Sequence, residues 1–422
     1  MLIKRLFIFF EPVFIRPAVS MFSPMQGQRF PVKQIYALKI LLQIFFNIFF
    51  SPIGLVLNLF KVVILPINIS QIGNVIWLDC FLREVRKDDK KYNLIIVPSS
   101  DLLAANPYLL SLYSDKVYLA KNLIEYILLF PFFLNPLCTD FLERFDANSN
   151  NLNIHKSLGD QDKKNTPIIE IPHKDKIKAL VDLDTVGLKE GEKFVTIHVR
   201  DSGYYNNPGQ NTRNGTFENY IEGIKYLSSR GYKIIRLGNS NSKNIKHLYN
   251  LLDKNFIDYA YSNINSDLID IYLMSECEFL LGTDSGPAFV VPLFKKNTLM
   301  TNAMPPSRSL WFNKDDLTIF KKIKYKDNKI EKLSVILSPK LYNMHNIHSF
   351  NKLGYEVIEN SSFEILDLIK DYFNKNDYLK ISNQIKKGIE PGCRNYMANG
   401  NFSYSFILNN FKEEVCNDEK KQ

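Results

Sequence analysis

Short apolar runs bounded by turn residues alternate with stretches of helical period over most of this chain, the pattern of a parallel α/β sheet. Lys61 to Asn68 (KVVILPIN) reads as a buried strand, Asn74 to Arg86 as a helix after a loop holding Gly73, and Leu94 to Val97 as a second strand. Residues 102–145 are apolar and helical in character, and Asp146 to Asp162 (DANSNNLNIHKSLGDQD) is polar enough to be a linker. The second half is more regular. Strands are predicted at Phe194 to Val199 (FVTIHV), Tyr232 to Leu237, Phe256 to Tyr261, Glu278 to Leu281 and Thr298 to Thr301. Helices are predicted between them at Thr216 to Arg230, Ser242 to Leu252, Ser266 to Cys277 and Pro287 to Phe294, with Ser266 as a cap and proline in the first turn of the last. Ser361-Ser362-Phe363-Glu364 is a capping box ahead of an amphipathic helix to Asn374, and residues 355–358 (YEVI) look like a sixth strand. Right-handed crossovers turn this alternation into one doubly wound parallel sheet.

The front of the chain follows a different pattern. From Ile40 to Phe60 there are 21 consecutive uncharged residues, enough to cross a bilayer by length alone. Gln43, Asn47, Ser51 and Asn58 interrupt the run, and Pro52 with Gly54 breaks it near the middle. That fits two short apolar helices at an interface better than one clean span, while a true span and a buried helical cap stay open as alternatives. A secretory signal fits poorly, because the run after Lys4 and Arg5 ends at Glu11 and Pro12 with no small-residue cleavage site.

Charge sharpens this picture. The chain of 422 residues carries a net charge of +9, which would ordinarily raise nucleic acid as a partner. Residues 1–60 hold Lys4, Arg5, Arg16, Arg29, Lys33 and Lys39 against Glu11 alone, together with 11 of the 31 phenylalanines. Basic and strongly apolar at once, the segment suits an anionic membrane surface and not a nucleic-acid arm. An apolar content of 45% excludes global disorder. Five scattered cysteines, Cys80, Cys138, Cys277, Cys393 and Cys416, form no C-x-x-C pair and point to a reducing compartment.

Ligands of open α/β sheets bind beyond the carboxyl ends of the strands, so the residues there are the candidates for chemistry. They are unusually polar: His198-Val199-Arg200-Asp201, Arg236-Leu237-Gly238-Asn239-Ser240, Gly282-Thr283-Asp284-Ser285-Gly286 and Thr301-Asn302. The glycine-flanked loop before Pro287 opens a helix whose first N–H groups could hold a phosphate, although Asp284 or Ser285 could equally be a plain cap. Arg200 leaves an apolar strand and could hold a diphosphate bidentately, with His198 on the same strand face; a core histidine and a surface ion pair are the plain readings of the two. Arg213, Asn214 and Arg236 add donors, though Arg236 could simply pair with a neighbouring acid. Asp182 and Asp184 read as a solvated helix face, His345 and His348 lack a third metal ligand, and the lysine-rich run 321–332 reads as an exposed connection. Common ATPase, serine hydrolase and zinc protease motifs are missing.

The segments FVTIHVRDSGYY (194–205), RNGTFENYIEGIKYLSSRGYKIIRLGNS (213–240) and EFLLGTDSGPAFVVPLF (278–294) together resemble a family of bacterial surface-polysaccharide glycosyltransferases. H-V-R is similar to a nucleotide-binding segment of fucosyltransferases, and D-S-G-P to one of heptosyltransferases. The resemblance covers residues 194–302 well and the chain before Gly187 thinly. It implies a GT-B fold: two Rossmann-like doubly wound domains facing across a cleft, here behind an apolar N-terminal helical extension. It further implies a nucleotide-sugar co-substrate with no bound cofactor or metal, Arg200 on the donor diphosphate, and Thr283, Asp284, Ser285 and Gly286 cradling phosphate or ribose; His198, Arg213, Asn214, Gly238 and Asn239 join them as donor-binding candidates by their place at the same edge. The acceptor side would involve Gly73 and Asp101; Asp101 and Asp79 both stand on the expected rim as candidates for the general base, which is left unassigned.

The expected layout is therefore residues 1–60 as a membrane-associating segment, 61–165 as an acceptor domain, 166–380 as a donor domain and 381–422 as an extension packing back on the body. The expected partners are a nucleotide sugar, a lipid-linked or glycan acceptor of O-antigen or capsule type, and the inner face of the cytoplasmic membrane, with no nucleic acid. A sugar-nucleotide epimerase and a non-catalytic polysaccharide-assembly protein are the alternatives.

Overall fold

The computed structural model describes residues 48–132 except 66, 68, 87–91, 100 and 102; 167–203; 212–304; 312–374 except 326–328, 339–340, 342–343 and 345–346; 400–416; and the single positions 45, 135, 382 and 385. The expected membrane segment before residue 45, the linker 146–162, Cys138, Cys393 and His345 lie outside the described residues. The chain divides into two units, Met1–Asn151 and Leu152–Gln422.

The first unit is built on three parallel strands in the order β1 (Val62–Ile64), β2 (Leu94–Pro98) and β3 (Tyr118–Ala120). The helix Val75–Arg86 makes the crossover from β1 to β2. Within it Asp79 is fully buried, ion-paired to Arg83 and accepting from Tyr113 Oη at 3.3 Å, which removes it from the expected rim. Residues 102–145 are not helical throughout: Pro107–Ser111 and Leu123–Leu129 are helices, but β3 lies between them. Three residues of strand inside an apolar stretch give no period to detect. Among the described residues no helix is long and apolar enough to cross a membrane.

The second unit holds a seven-stranded parallel sheet of order β12-β9-β8-β7-β4-β5-β6. Its strands are β4 (Phe194–His198), β5 (Lys233–Arg236), β6 (Phe256–Ile257), β7 (Phe279–Thr283), β8 (Asn297–Ala303), β9 (Leu317–Phe320) and β12 (Asn401–Phe402). The chain winds outward from β4 to β6, returns to the other side of β4 with β7, and winds outward again to β9. Both units are thus α/β with parallel, Rossmann-like sheets, and the second is doubly wound.

Two groups of helices pack this sheet. Ile221–Ser229, Ser362–Asn374 and Tyr404–Cys416 form one. The first two of these pack closely at Gly223, where a Cβ would stand 2.6 Å from Ile369 Cδ1, the tip of a side chain that would have to turn aside. His173–Asp184 and Asp267–Glu276 form the other, joined by Lys176 to Glu276 at 2.7 Å. Ser266 caps Asp267–Glu276, and the Ser361 and Glu364 capping box closes reciprocally at 3.3 and 2.9 Å.

Three expectations fail here. Residues 355–358 do not join the main sheet; Glu356–Ile358 (β11) pairs antiparallel with Lys322–Lys324 (β10) in a two-stranded ribbon. The lysine-rich run is an exposed connection only in its later part: Lys321 and Ile323 are buried and Lys322 pairs with Glu364 at 2.5 Å, while Tyr325, Lys329, Ile330 and Lys332 are exposed. The helix expected at 242–252 is only a 3-10 turn, Lys246–Leu251. Its start is held back because Lys243 N donates to Asp201 Oδ2 and Lys243 O accepts from Arg236. The end of the chain completes the sheet through β12, beside β9, with Ser403 and Ser405 bound to Asp371.

Candidate functional site

The order of the sheet places β4 and β7 side by side although the chain separates them by two further strands, and the direction of winding reverses between them. Open α/β sheets receive ligands at such a reversal. Here it unites the two most polar strand ends of the sequence.

Pairing at β4 and β7 is tight. Gly282 lies opposite His198, and a Cβ on it would stand 2.2 Å from the His198 carbonyl. Gly282 is therefore required by strand packing, not by close approach of a ligand as its place in the loop suggests. Thr283 Oγ1 accepts from Arg200 N at 2.8 Å, and Arg200 O accepts from Gly215 N at 2.9 Å, so the Arg200 backbone is fixed from both sides.

Ser285 is the N-cap of the helix Gly286–Val290 but makes no capping bond with its side chain. Its hydroxyl donates to Thr283 O at 3.0 Å and lies 2.8 Å from His198 Nδ1. Burial lowers the His198 pKa to about 4, against the pull of Asp201 and helped by Arg200 and Arg236. His198 is neutral at physiological pH. The helix itself runs only five residues before a 3-10 turn, Val291–Phe294, so its dipole is shorter than the sequence implied. Asp284 is engaged by Arg213 at 3.8 Å through Oδ2; its Oδ1 is buried without a hydrogen bond among the described residues.

Beyond β4 the alternation of side chains divides the site. Val199 and Asp201 line a cavity of about 230 Å³, whereas His198, Arg200 and residues 283–286 are not part of that lining. Its other walls include Asn214, Thr216, Arg236, Lys243, Lys321 and Glu359. The loop 213–216 is the lid of the sheet edge: a Cβ on Gly215 would meet Asn302 Nδ2 at 3.0 Å and Thr283 Cγ2 and Val199 Cγ1 at 3.2 Å. Lys321 Nζ donates to Asn214 O at 2.6 Å, and Thr216 N donates to Glu359 Oε2 at 2.9 Å. Burial pushes the Lys321 pKa down while Glu359 at 3.7 Å pushes it back up. Asn214 Oδ1 is a second buried acceptor with no hydrogen bond among the described residues.

Below the edge lies a polar core. Asn302 has φ 52° and is fully buried. Its N donates to Asn360 Oδ1 at 2.6 Å while its own Oδ1 accepts from Asn360 N at 2.9 Å. Tyr220 Oη bonds Thr301 Oγ1, whose hydroxyl also donates to Gly282 O at 3.0 Å.

The sequence-derived residues thus fall into three groups. His198, Arg200, Arg213, Asn214, Thr283, Asp284, Ser285 and Gly286 gather at the ends of β4 and β7 or on the loop that crosses them. Gly238 and Asn239 sit past β5 and have local duties: Gly238 has φ 147° with Ser242 Oγ against its missing Cβ, and Asn239 Oδ1 accepts from Asn241 N. Arg236 is buried and paired with Asp258 at 3.1 Å, the plainer of its two readings. Gly73, buried in a 3-10 turn, and Asp101, exposed past β2, belong to the first unit. Lys321, Glu359 and Gly215 are site residues that the sequence reading overlooked. The alternating Lys322-Ile323-Lys324 pattern is the signal that could have placed Lys321 at a strand. Among the described residues no group of three or more His, Cys, Asp or Glu is placed to hold a metal ion.

No family model matches the chain, and no curated protein matches it. Solved structures similar to it include a glycosyl transferase family 9 protein from Veillonella parvula, 14% identical over 57% of this chain and 80% of that one, with a TM-score of 0.38. The ADP-heptose LPS heptosyltransferase II of E. coli is 12% identical over 56% of this chain and 84% of that one, with a TM-score of 0.35. The E. coli heptosyltransferase WaaC, solved with ADP-2-deoxy-2-fluoro heptose, is 10% identical over 63% and 94%, with a TM-score of 0.33.

Proposed function

We propose that the chain is a glycosyltransferase that holds a nucleotide-sugar donor at the carboxyl edge of the second unit's sheet and passes the sugar to a lipid-linked or growing polysaccharide acceptor at a cytoplasmic membrane face. One observation carries the reading: the reversal of winding joins His198-Val199-Arg200 at β4 to Thr283-Asp284-Ser285 at β7 in one polar edge. Arg200 and Arg213 supply positive charge there. The buried acceptors Asp284 Oδ1 and Asn214 Oδ1 suit the hydroxyls and N–H groups of a nucleotide sugar.

In this reaction the anomeric carbon breaks its bond to the diphosphate and forms one to an acceptor hydroxyl, whose proton passes to a base. Negative charge grows on the departing diphosphate, and fixed cations aimed at it lower the barrier. Arg200 has that role, with the donor's base end in the cavity beside Val199. Gly73 and Asp101 belong to the acceptor part of this reading.

The test is a panel of UDP-, GDP-, CMP-, dTDP- and ADP-sugars followed by calorimetric binding and by product analysis with an added acceptor. One donor is expected to bind, and Arg200→Ala is expected to lower kcat/KM by roughly a hundredfold, in the range of other charge-stabilising groups. A changed sugar nucleotide without transfer would make the chain an epimerase instead, and no binding of any donor would end both readings.

A further inference from the structure

Two helices of the first unit expose apolar side chains where ordinary surface helices carry charge. In residues 48–59 the inner stripe is Phe50, Gly54 and Leu57, and the outer stripe, Phe49, Ile53 and Val56, is also apolar. In Leu123–Leu129 the half-buried side carries Glu125, which accepts from Tyr118 Oη at 3.0 Å, and Tyr126. Its outward side carries Ile124, Ile127 and Leu128, each 60–66% exposed. A soluble surface helix places charge outside and apolar residues inside.

The two helices meet the same core. Phe50 packs edge-on against Phe132 at 5.4 Å, and Phe50, Leu57 and Leu129 all lie against the cluster of Ile64 and Phe132. Both outer stripes are apolar and exposed, well beyond the scattered exposed residues normal for a surface. An exposed lysine bounds each stripe: Lys61 just after the first helix and Lys121 just before the second.

We infer that the two outer stripes make one face, with which the protein docks on an anionic lipid surface, lying on the bilayer without crossing it. Charge selects the occupant. The net charge of residues 1–60 is +5, from six basic residues against Glu11, and with Lys61 and Lys121 this favours anionic headgroups and disfavours a second copy of the chain. Lysines at the margin of an apolar stripe can lay their stems on it and keep their ammonium groups at headgroup level. The inference deepens the membrane part of the proposed function by adding Leu123–Leu129, far from the basic front end in sequence, to the contact. It needs no nucleotide sugar, so its failure is separate from failure of the transferase reading.

The experiment is co-sedimentation of the full chain with phosphatidylcholine vesicles, with and without phosphatidylglycerol. Binding that requires the anionic lipid is expected. The pair Ile124→Glu and Leu128→Glu should weaken it by roughly tenfold or more, as losing the burial of even one such side chain would. Ile177→Glu with Val181→Glu, on an exposed apolar part of the second unit, should leave it unchanged. If the glutamate pair lowers the thermal melting temperature, Ile124→Ser with Leu128→Ser replaces it. Equal binding of wild type and face variants would overturn the inference. So would equal binding to neutral vesicles, or a dimer that the face variants break while vesicle binding persists.

Discussion

Ser285 Oγ stands 2.8 Å from His198 Nδ1 and 3.0 Å from the Thr283 carbonyl. With the hydroxyl proton on that carbonyl the imidazole donates from Nδ1 and keeps Nε2 as the acceptor; with the proton on Nδ1 the two nitrogens exchange roles. A hydroxyl just past β7 is thus the partner of a histidine on β4. Ser285→Ala removes this partner and leaves a partly buried imidazole nitrogen unpaired, at a cost of about 1–3 kcal/mol. Urea unfolding should show that loss, and calorimetry should show weaker donor binding than in a Ser285→Thr variant, which keeps the hydroxyl. Unchanged binding in Ser285→Ala would separate the histidine from donor recognition.

His198 also gives the fold a pH signature. Its folded pKa of about 4 lies below the unfolded value near 6.5, so the unfolded chain takes up the proton first. The stability that a neutral His198 contributes is fully present above pH ~6.5 and is lost as pH falls toward 4. The side chain is partly exposed, so the effect is on the order of 2 kcal/mol once screening is allowed for. His198→Gln should flatten this limb when unfolding free energy is measured from pH 7 to 4; an unchanged slope would place the histidine in water.

Asp316 works in the opposite direction. Its buried carboxylate accepts from Thr298 N at 2.7 Å, Phe312 N at 3.0 Å and Asn313 N at 2.8 Å, tying a turn to the start of β8. Burial nevertheless outweighs these donors and pushes its pKa up to about 7. A raised folded pKa means that protonation favours the folded state, so this group adds stability as pH falls from 7 toward its unfolded value near 4. Asp316→Ala strands three backbone donors, and a loss of about 3 kcal/mol or more is expected in urea unfolding at pH 7. Asp316→Asn should lose the gain on acidification while keeping most of the fold.

Much of the second unit was legible because its signals are local. The run Phe194–His198, the Ser266 cap and the Ser361–Glu364 box each declare themselves within a few residues. The three-residue β3, the two-residue β12 and the ribbon of β10 with β11 do not, because long-range pairing defines them. Lys321 was hidden for the same reason: a charge run signals solvent unless one knows that Ile323 is buried and that Asn214 O and Glu359 await the ammonium group. The candidate site was half legible. Polar strand ends could be identified singly, but that His198 meets Ser285, and Arg200 meets Thr283, follows only from β7 returning beside β4. Gly282 misled for the same reason, since its missing Cβ makes room for a neighbouring strand.

Gly215 offers the sharpest test of the loop that covers this edge. It has no unusual backbone angle to explain it; space does, with Asn302, Thr283 and Val199 all within 3.0–3.2 Å of where a Cβ would be. Val199 and Thr283 are held in strands or at their ends, and Asn302 is held by Asn360, so none can yield far. In Gly215→Ala the loop must therefore lift by a few tenths of an ångström. Its ties from Lys321 to Asn214 O and from Thr216 N to Glu359 would stretch, and the bond from Gly215 N to Arg200 O with them. Overpacking of this kind costs about 1–3 kcal/mol. The expected result is a modest fall in melting temperature with a larger fall in donor affinity, because the loop carries Arg213 and Asn214. A variant as unstable as expected yet with wild-type donor affinity would show that the loop closes the sheet edge without taking part in binding.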